Sequence, residues 1–241
     1  MNYQVTVSYD GSDFHGWAKQ QNVRTIQGEI EKIIYRIFKQ PITIHASGRT
    51  DAYVHAYGQV FSFNAKKSPI KPNHLLSALR NLSPTDIYFV KVKVNKSMFH
   101  ARFSAHNKTY QYVVNTGDYN VFKSRYELFY NRPIDLKLLK KTSKLFIGTH
   151  DFKSFSTSIL DDTIRTINYI KFKSLNNSLI ITINGDGFLR NMVRMIIGSL
   201  LDVNEHKKTM EHVAQLLKDP FKGSAITKVN GCGLYLLKVN Y

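Results

Sequence analysis

IYFVKVKVNKSMFHARFSAHNKTYQYVVN, residues 87–115, holds two alternating stretches on either side of a histidine-containing junction. IYFVKVKV at 87–94 and TYQYVVN at 109–115 repeat at a period of two, so each predicts a strand. The junction FHARFSA lacks that period. No Pro/Gly/Ser-rich or low-complexity linker marks the boundary near 103–107, so tightly joined halves are expected there.

Towards the N-terminus, YQVTVSY at 3–9 alternates, and residues 26–38 place Ile26, Ile30, Ile33, Ile34, Ile37 and Phe38 at helical spacing. ITIHA at 42–46 and QVFSF at 59–63 predict a strand pair. Residues 72–81, with Leu75, Leu76 and Leu79, predict a second helix, which makes the order β-α-β-β-α-β. Beyond the junction the order recurs: a strand at 109–115, a helix over 135–146, strands at 166–173 and 179–184, a helix from 188 to about 203, and GLYLLKV at the end. An added helix is predicted at 209–218. The halves share this pattern without visible sequence identity. The expected fold is α+β: two ferredoxin-like halves, 1–104 and 105–241, with mainly antiparallel sheets and helices on one face.

Of the 241 residues, 43% are hydrophobic, enough for one large core or two modest ones. Thirty-four Lys+Arg against 17 Asp+Glu leave a net charge of +17. Clustered cations bind polyanions by releasing counterions, so nucleic acid is the leading partner and an anionic membrane surface its rival. No apolar stretch approaches the roughly 20 residues that span a bilayer, and MNYQVTVSYD alternates like a strand; a cytosolic protein is expected. The one cysteine, Cys232, permits no internal disulfide. Nine histidines form no HExxH, and neither a Walker loop, a dinucleotide fingerprint nor a G-x-S-x-G elbow occurs, so no metal or nucleotide cofactor is expected. Asp10 with Asp13 and Asp161 with Asp162 are the paired acids; the second pair reads as a solvated loop.

Four segments combine glycine, aromatic and charged residues in a way that a plain core does not require: YDGSDFHGW, GRTDAYVHA, FHARFSAHNKTYQY and GDGFLRNMVRMIIGSL. The first also reads as a turn after the opening strand, and Arg49 with Asp51 also reads as a surface ion pair. Arg190 and Arg194, four apart, interrupt an apolar helix, where a guanidinium calls for an anion such as a carboxylate or a phosphate.

Together these segments resemble the tRNA pseudouridine synthases of the TruA type. YDGSDFHGW, RTIQGEIE, GRTDAYVHA, GQV, FHARFSA, KTYQY, HDFKSF, FLRNMVRMIIGSL and GLYL follow that family's motifs in order along essentially the whole chain. The resemblance implies a basic cleft between two ferredoxin-like halves, a homodimer, uridines at tRNA positions 38, 39 and 40 in the anticodon stem-loop as substrate, and no cofactor. It also implies that Asp51 is the essential carboxylate and Arg49 the arginine before it. Tyr110 falls on the active-site tyrosine and Arg194 on the arginine that pairs with the aspartate. Where the family carries glycine after Asp-Ala, this chain has Tyr53, which disfavours positive φ.

Pseudouridine formation breaks N1–C1′, turns the base, joins C5 to C1′ and removes the C5 proton, without redox change or hydrolysis. It calls for an ionised carboxylate, either to attack the nucleotide or to take a proton from the sugar. An adjacent guanidinium favours that charged form. Tyr110 is expected to stack under the base, with its hydroxyl a candidate to assist proton transfer from C5, although a phenol near its ordinary pKa of about 10 is a poor base by itself. Lys19, Arg24, Lys66, Lys67, Lys108 and Arg190 are candidate contacts to phosphate or substrate. The competing reading is a non-catalytic RNA-binding protein of the same fold, for which YGQVFSF at 57–63 faintly echoes the aromatic strand of an RRM domain.

Overall fold

The structure, a computed structural model, describes the chain except residues 66–68, 96–97, 158–160 and 226. Lys66 and Lys67 therefore lie outside the described residues. The element order is β1 (Asn2–Tyr9), α1 (Ile26–Phe38), β2 (His45–Ala46), β3 (His55–Asn64), α2 (Pro72–Asn81), β4 (Ile87–Asn95), β5 (Asn107–Asn115), β6 (Leu128–Phe129), α3 (Leu136–Ser143), β7 (Gly148–Asp151), β8 (Ile164–Leu175), β9 (Ser178–Gly185), α4 (Met192–Asn204), α5 (Met210–Lys218) and β10 (Leu234–Asn240). By density of contacts the chain forms two units: Met1–His106 with Tyr235–Tyr241, and Asn107–Leu234.

In the first unit β1 runs antiparallel to both β3 and β4, with Val5 in register with Phe61 on one side and Val92 on the other. The alternation seen in the sequence buries Tyr3, Val5 and Val7 completely. Helix α1 starts where the Thr25 side chain accepts from the Gly28 amide at 3.3 Å and stops where Lys39 turns left-handed at φ 53°. Its Ile26, Ile30, Ile33 and Ile34 repeat at i, i+4, i+7 and i+8, and all are buried. Strand β2 adds to β3 antiparallel, and β10 pairs with β3 in parallel, Tyr235 opposite His55 and Leu236 opposite Ala56. That pairing groups the last strand with the first unit, whereas a division at 104/105 would assign it to the second.

The second unit has the strand order β5-β9-β8-β7, antiparallel throughout, with β6 parallel to β5. Its core includes Tyr112, Phe146, Phe152, Phe155, Ile181, Ile183, Ile196 and Leu200. Across both units the architecture is a mixed α+β one with mostly antiparallel pairing.

Four local expectations change. The strand expected at 42–46 contracts to His45–Ala46, because the Ile44 amide donates to Glu31 on α1 at 3.3 Å instead of to a ladder. The helix expected over 135–146 is α-helical only to Ser143 and finishes as a 3-10 turn, Lys144–Phe146. The short strands β6 and β7 fall where no alternating run signals them. The helix expected from 188 begins at Met192, because Asn191 sits at φ 65° and breaks the helical path. Arg190 thus lies in the turn ahead of α4, exposed, and shares no helical face with Arg194.

Candidate active site

Asp51 lies in the loop between β2 and β3. This stretch has irregular backbone, so side chains from elsewhere in the first unit must fix it. Gly16, at φ +87°, lets its backbone approach Thr50; a Cβ there would stand 2.7 Å from the Thr50 carbonyl oxygen. The amide of the buried Trp17 donates to that same oxygen at 3.0 Å, and the Tyr9 hydroxyl lies 2.8 Å from Thr50 Oγ1. Upstream, Ser47 Oγ donates to Gln59 Oε1 at 2.7 Å while Gln59 Nε2 donates to the Gly48 carbonyl at 2.9 Å. Ser47 and Gln59 are wholly buried, as satisfied polar side chains can be. Burial pushes the Tyr9 phenol up to about 12, against the opposing pull of its bonds to Thr50 and Gln59.

Within this frame Asp51 is half-buried and Arg49 exposed. The Val54 amide closes the turn onto the Asp51 carbonyl at 3.3 Å. Tyr53 takes φ 65°, so the tyrosine enters the left-handed region that its side chain disfavours, with its ring 52% exposed. The turn closure and the outward ring explain how the loop accepts it, at a cost of about 1–2 kcal/mol.

The preceding motif, YDGSDFHGW, is built into the same unit. Asp10 Oδ1 accepts from the Ser12 amide at 2.9 Å and lies 3.1 Å from Nδ1 of buried His55. Arg24 forks onto Asp86 at 2.5 and 3.0 Å with its guanidinium 4.1 Å from the centre of the Phe14 ring, so much of its charge is balanced inside the unit. Lys19 meets Glu31 at 3.3 Å on the surface.

The second unit carries the remaining candidates. Tyr110, on β5, is 7% exposed and packs edge-on against Phe188 at 5.1 Å. Lys108 stands opposite Gly185 on β9. Arg194 is the one residue of α4 that is not buried. Its Nε donates to the Val229 carbonyl at 2.8 Å and its Nη1 to Asn191 Oδ1 at 3.2 Å, which fixes the direction of the guanidinium. The Arg190 carbonyl accepts from Ser156 Oγ and from the Thr157 amide, both at 3.3 Å. The structure thus gathers Arg49 and Asp51 on one loop, and Arg190 and Arg194 around the start of one helix.

Sequence reasoning missed the sockets, above all Tyr9 and Gln59; a glutamine inside the apolar run GQVFSF was the available signal. A groove of about 410 Å³ lined by Lys140, Ser143, Lys144, Ile147, Ile170, Lys171 and Phe172 includes none of the candidate residues. Among the described residues, no three His, Cys, Asp or Glu side chains gather as a metal site would need, and no helix is long and apolar enough to cross a membrane.

The sequence pattern of the tRNA pseudouridine synthases matches residues 5–104 and 142–241. The chain is 49% identical to tRNA pseudouridine synthase A of Malacoplasma penetrans over 243 residues, covering all of both chains. It is 47% identical to the Ureaplasma parvum protein of the same name, again over all of both chains, and 38% identical to that of Dictyoglomus thermophilum, likewise over the full length of each. A match that includes the braced Asp51 loop and the Arg194 helix, and relatives aligned from end to end, establish that the chain belongs to the tRNA pseudouridine synthase family.

Proposed function

We propose that the protein is an isomerase that converts uridine to pseudouridine in the anticodon stem-loop of tRNA, at positions 38, 39 and 40, with Asp51 as its nucleophile. The observation that carries this reading is the loop around Asp51. Buried polar groups hold its backbone while the carboxylate remains half-buried, as preorganised chemistry requires. The Asp51 carboxylate bonds to C1′ as N1–C1′ breaks and the base leaves as its anion. The base turns, and C5 then bonds to C1′ as the carboxylate is released. The C5 proton passes to solvent and N1 takes one up. Every atom is conserved and no oxidation level changes, so the balance calls for no redox cofactor.

In this reading Arg194 pairs with the Asp51 carboxylate, Arg49 grips the extruded nucleotide or a neighbouring phosphate, and Tyr110 stacks under the base. Lys19, Arg24, Lys108 and Arg190 belong to the RNA-binding surface of two ferredoxin-like halves, each with helices on one face of its sheet. The order β4-β1-β3 with β2 on β3 supports this reading for the first half. The protein acts in the cytoplasm as a homodimer. Because the target base is stacked in the stem, it must leave its stack, at a cost of a few kcal/mol that phosphate contacts offset.

Chemical labelling for pseudouridine after incubation with unmodified tRNA tests the reaction, and Asp51→Asn tests the role. The variant is expected to fold and bind tRNA while losing tritium release from C5-labelled uridine by at least a thousandfold. Appreciable turnover by the variant would refute the role of Asp51. Binding without conversion by the native chain would favour the pure RNA-binding alternative.

A further inference from the structure

Six residues after Asp51, Tyr57 ends a stack of three rings. His55 is 2% exposed; Tyr235 of β10 stacks on it with centroids 4.7 Å apart and planes within 20°. Tyr57 stacks on Tyr235 in turn, at 5.4 Å and 15°. The strands impose this arrangement. His55 and Tyr57 are two apart on β3 and so face the same way, and Tyr235 is the residue paired with His55. Gly58 permits the closeness: a Cβ at that position would meet the Leu237 carbonyl oxygen at 2.5 Å, so a side chain there would push β10 away. Two buried rings therefore back an outer ring that is itself 58% exposed.

We propose that the exposed face of Tyr57 is a stacking platform for an unpaired nucleobase flanking the uridine on which Asp51 acts. This inference rests on the proposed function and adds a subsite to it. A ring already held flat by two others loses little rotamer freedom on binding, which favours stacking. Every nucleobase presents a π-face, so such a platform is tolerant of sequence. With a net charge of +17, the chain draws in a polyanion whose bases become available once the stem is opened. Six residues of chain span at most about 20 Å, and the turn closed from Val54 to Asp51 shortens that reach. The captured base is therefore a near neighbour of the target.

The test uses the full chain and an anticodon stem-loop RNA with 2-aminopurine beside the target uridine. Wild type is expected to quench the probe. Tyr57→Leu is expected to lose the quenching and to raise KM about ten- to a hundredfold with little change in kcat, and Tyr57→Phe to restore both. In Tyr57→Trp the added indole is expected to lose emission as RNA is titrated; this readout stands even if the leucine variant folds poorly. Unchanged quenching and KM in Tyr57→Leu, or constant indole emission in Tyr57→Trp, would overturn the platform. If wild type converts uridine while these signals stay flat, only the platform fails; if Tyr57-dependent quenching occurs without conversion, the proposed reaction fails instead.

Discussion

The loop that carries Asp51 and the helix that carries Arg194 place their charged side chains by opposite means. The loop has almost no regular backbone pairing. Its position comes from polar groups that penetrate the core, with Tyr9 on Thr50, Gln59 on Gly48, and the Trp17 amide on Thr50. Helix α4 is buried along its length apart from Arg194, so apolar packing sets its position, and the Val229 carbonyl and the Asn191 side chain help to direct the guanidinium. A site on irregular backbone depends on individual hydrogen bonds and close contacts, whereas one on a buried helix survives the loss of any single contact but not of its own charge.

The largest effect separates charge from packing. Arg194→Leu leaves α4 packed but removes the bonds to the Val229 carbonyl and to Asn191, so a loss of about 1–2 kcal/mol in stability is expected. Turnover is expected to fall by about a hundred- to a thousandfold with a smaller loss in tRNA binding, the scale for removing one group that stabilises charge at a reacting centre. Unchanged kinetics would eliminate Arg194 from the mechanism. Gly16→Ala is the converse: no charge changes, but a Cβ at φ +87° meets the Thr50 carbonyl. A loss of roughly 2–3 kcal/mol of stability is expected in denaturant melts, together with impaired turnover. An alanine variant as stable as wild type would show that the loop is not fixed through this contact.

Next in size is an effect of pH. The Tyr9 phenol titrates near 12 when folded and near 10 when unfolded, so between those values the unfolded chain has lost a proton that the folded chain keeps. The stability it contributes is fully present below about pH 10 and declines as pH rises towards 12, by roughly 2–3 kcal/mol. Tyr9→Phe should make the alkaline decline shallower, the Tyr112 and Tyr241 phenols, also pushed up by burial, keeping part of it, and cost about 1 kcal/mol at neutral pH through the lost bond to Thr50. Urea melts across the range check both signs; an identical decline in the variant would place its origin elsewhere.

Periodicity alone gave α1 and α2 with the bounds they have, and α5 within a residue, because buried side chains recur there at helical spacing. It failed at the start of α4, where the apolar pattern reaches back to Phe188 and Leu189 while Asn191 takes a left-handed backbone that no spacing displays. Motifs single out Asp51 and Arg194 as candidates, yet nothing local shows what holds their segments: Tyr9 and Thr50 are 41 residues apart. Charge alone makes Arg24 a candidate phosphate contact, and the fold adds Asp86, 62 residues away, as a partner of its guanidinium. Partners across the chain are what a one-dimensional reading omits.

The smallest expected effect concerns Tyr53, two residues after Asp51 in the same loop. Tyr53 holds φ 65° with its ring turned outward, so Tyr53→Gly relieves left-handed strain of about 1–2 kcal/mol while giving the unfolded chain more freedom, worth about 0.5–1 kcal/mol in the other direction. A net gain of roughly half a kcal/mol is expected, read as a small rise in Tm. Because the native turn already has the backbone that glycine would adopt, the Asp51 carboxylate stays where it is and kcat should change by less than about twofold. A large gain in kcat would mean that the ring obstructs the reacting uridine, and a large loss that it takes part in holding it. Either result would show that the loop is shaped by its exposed ring as well as by the buried sockets beneath it.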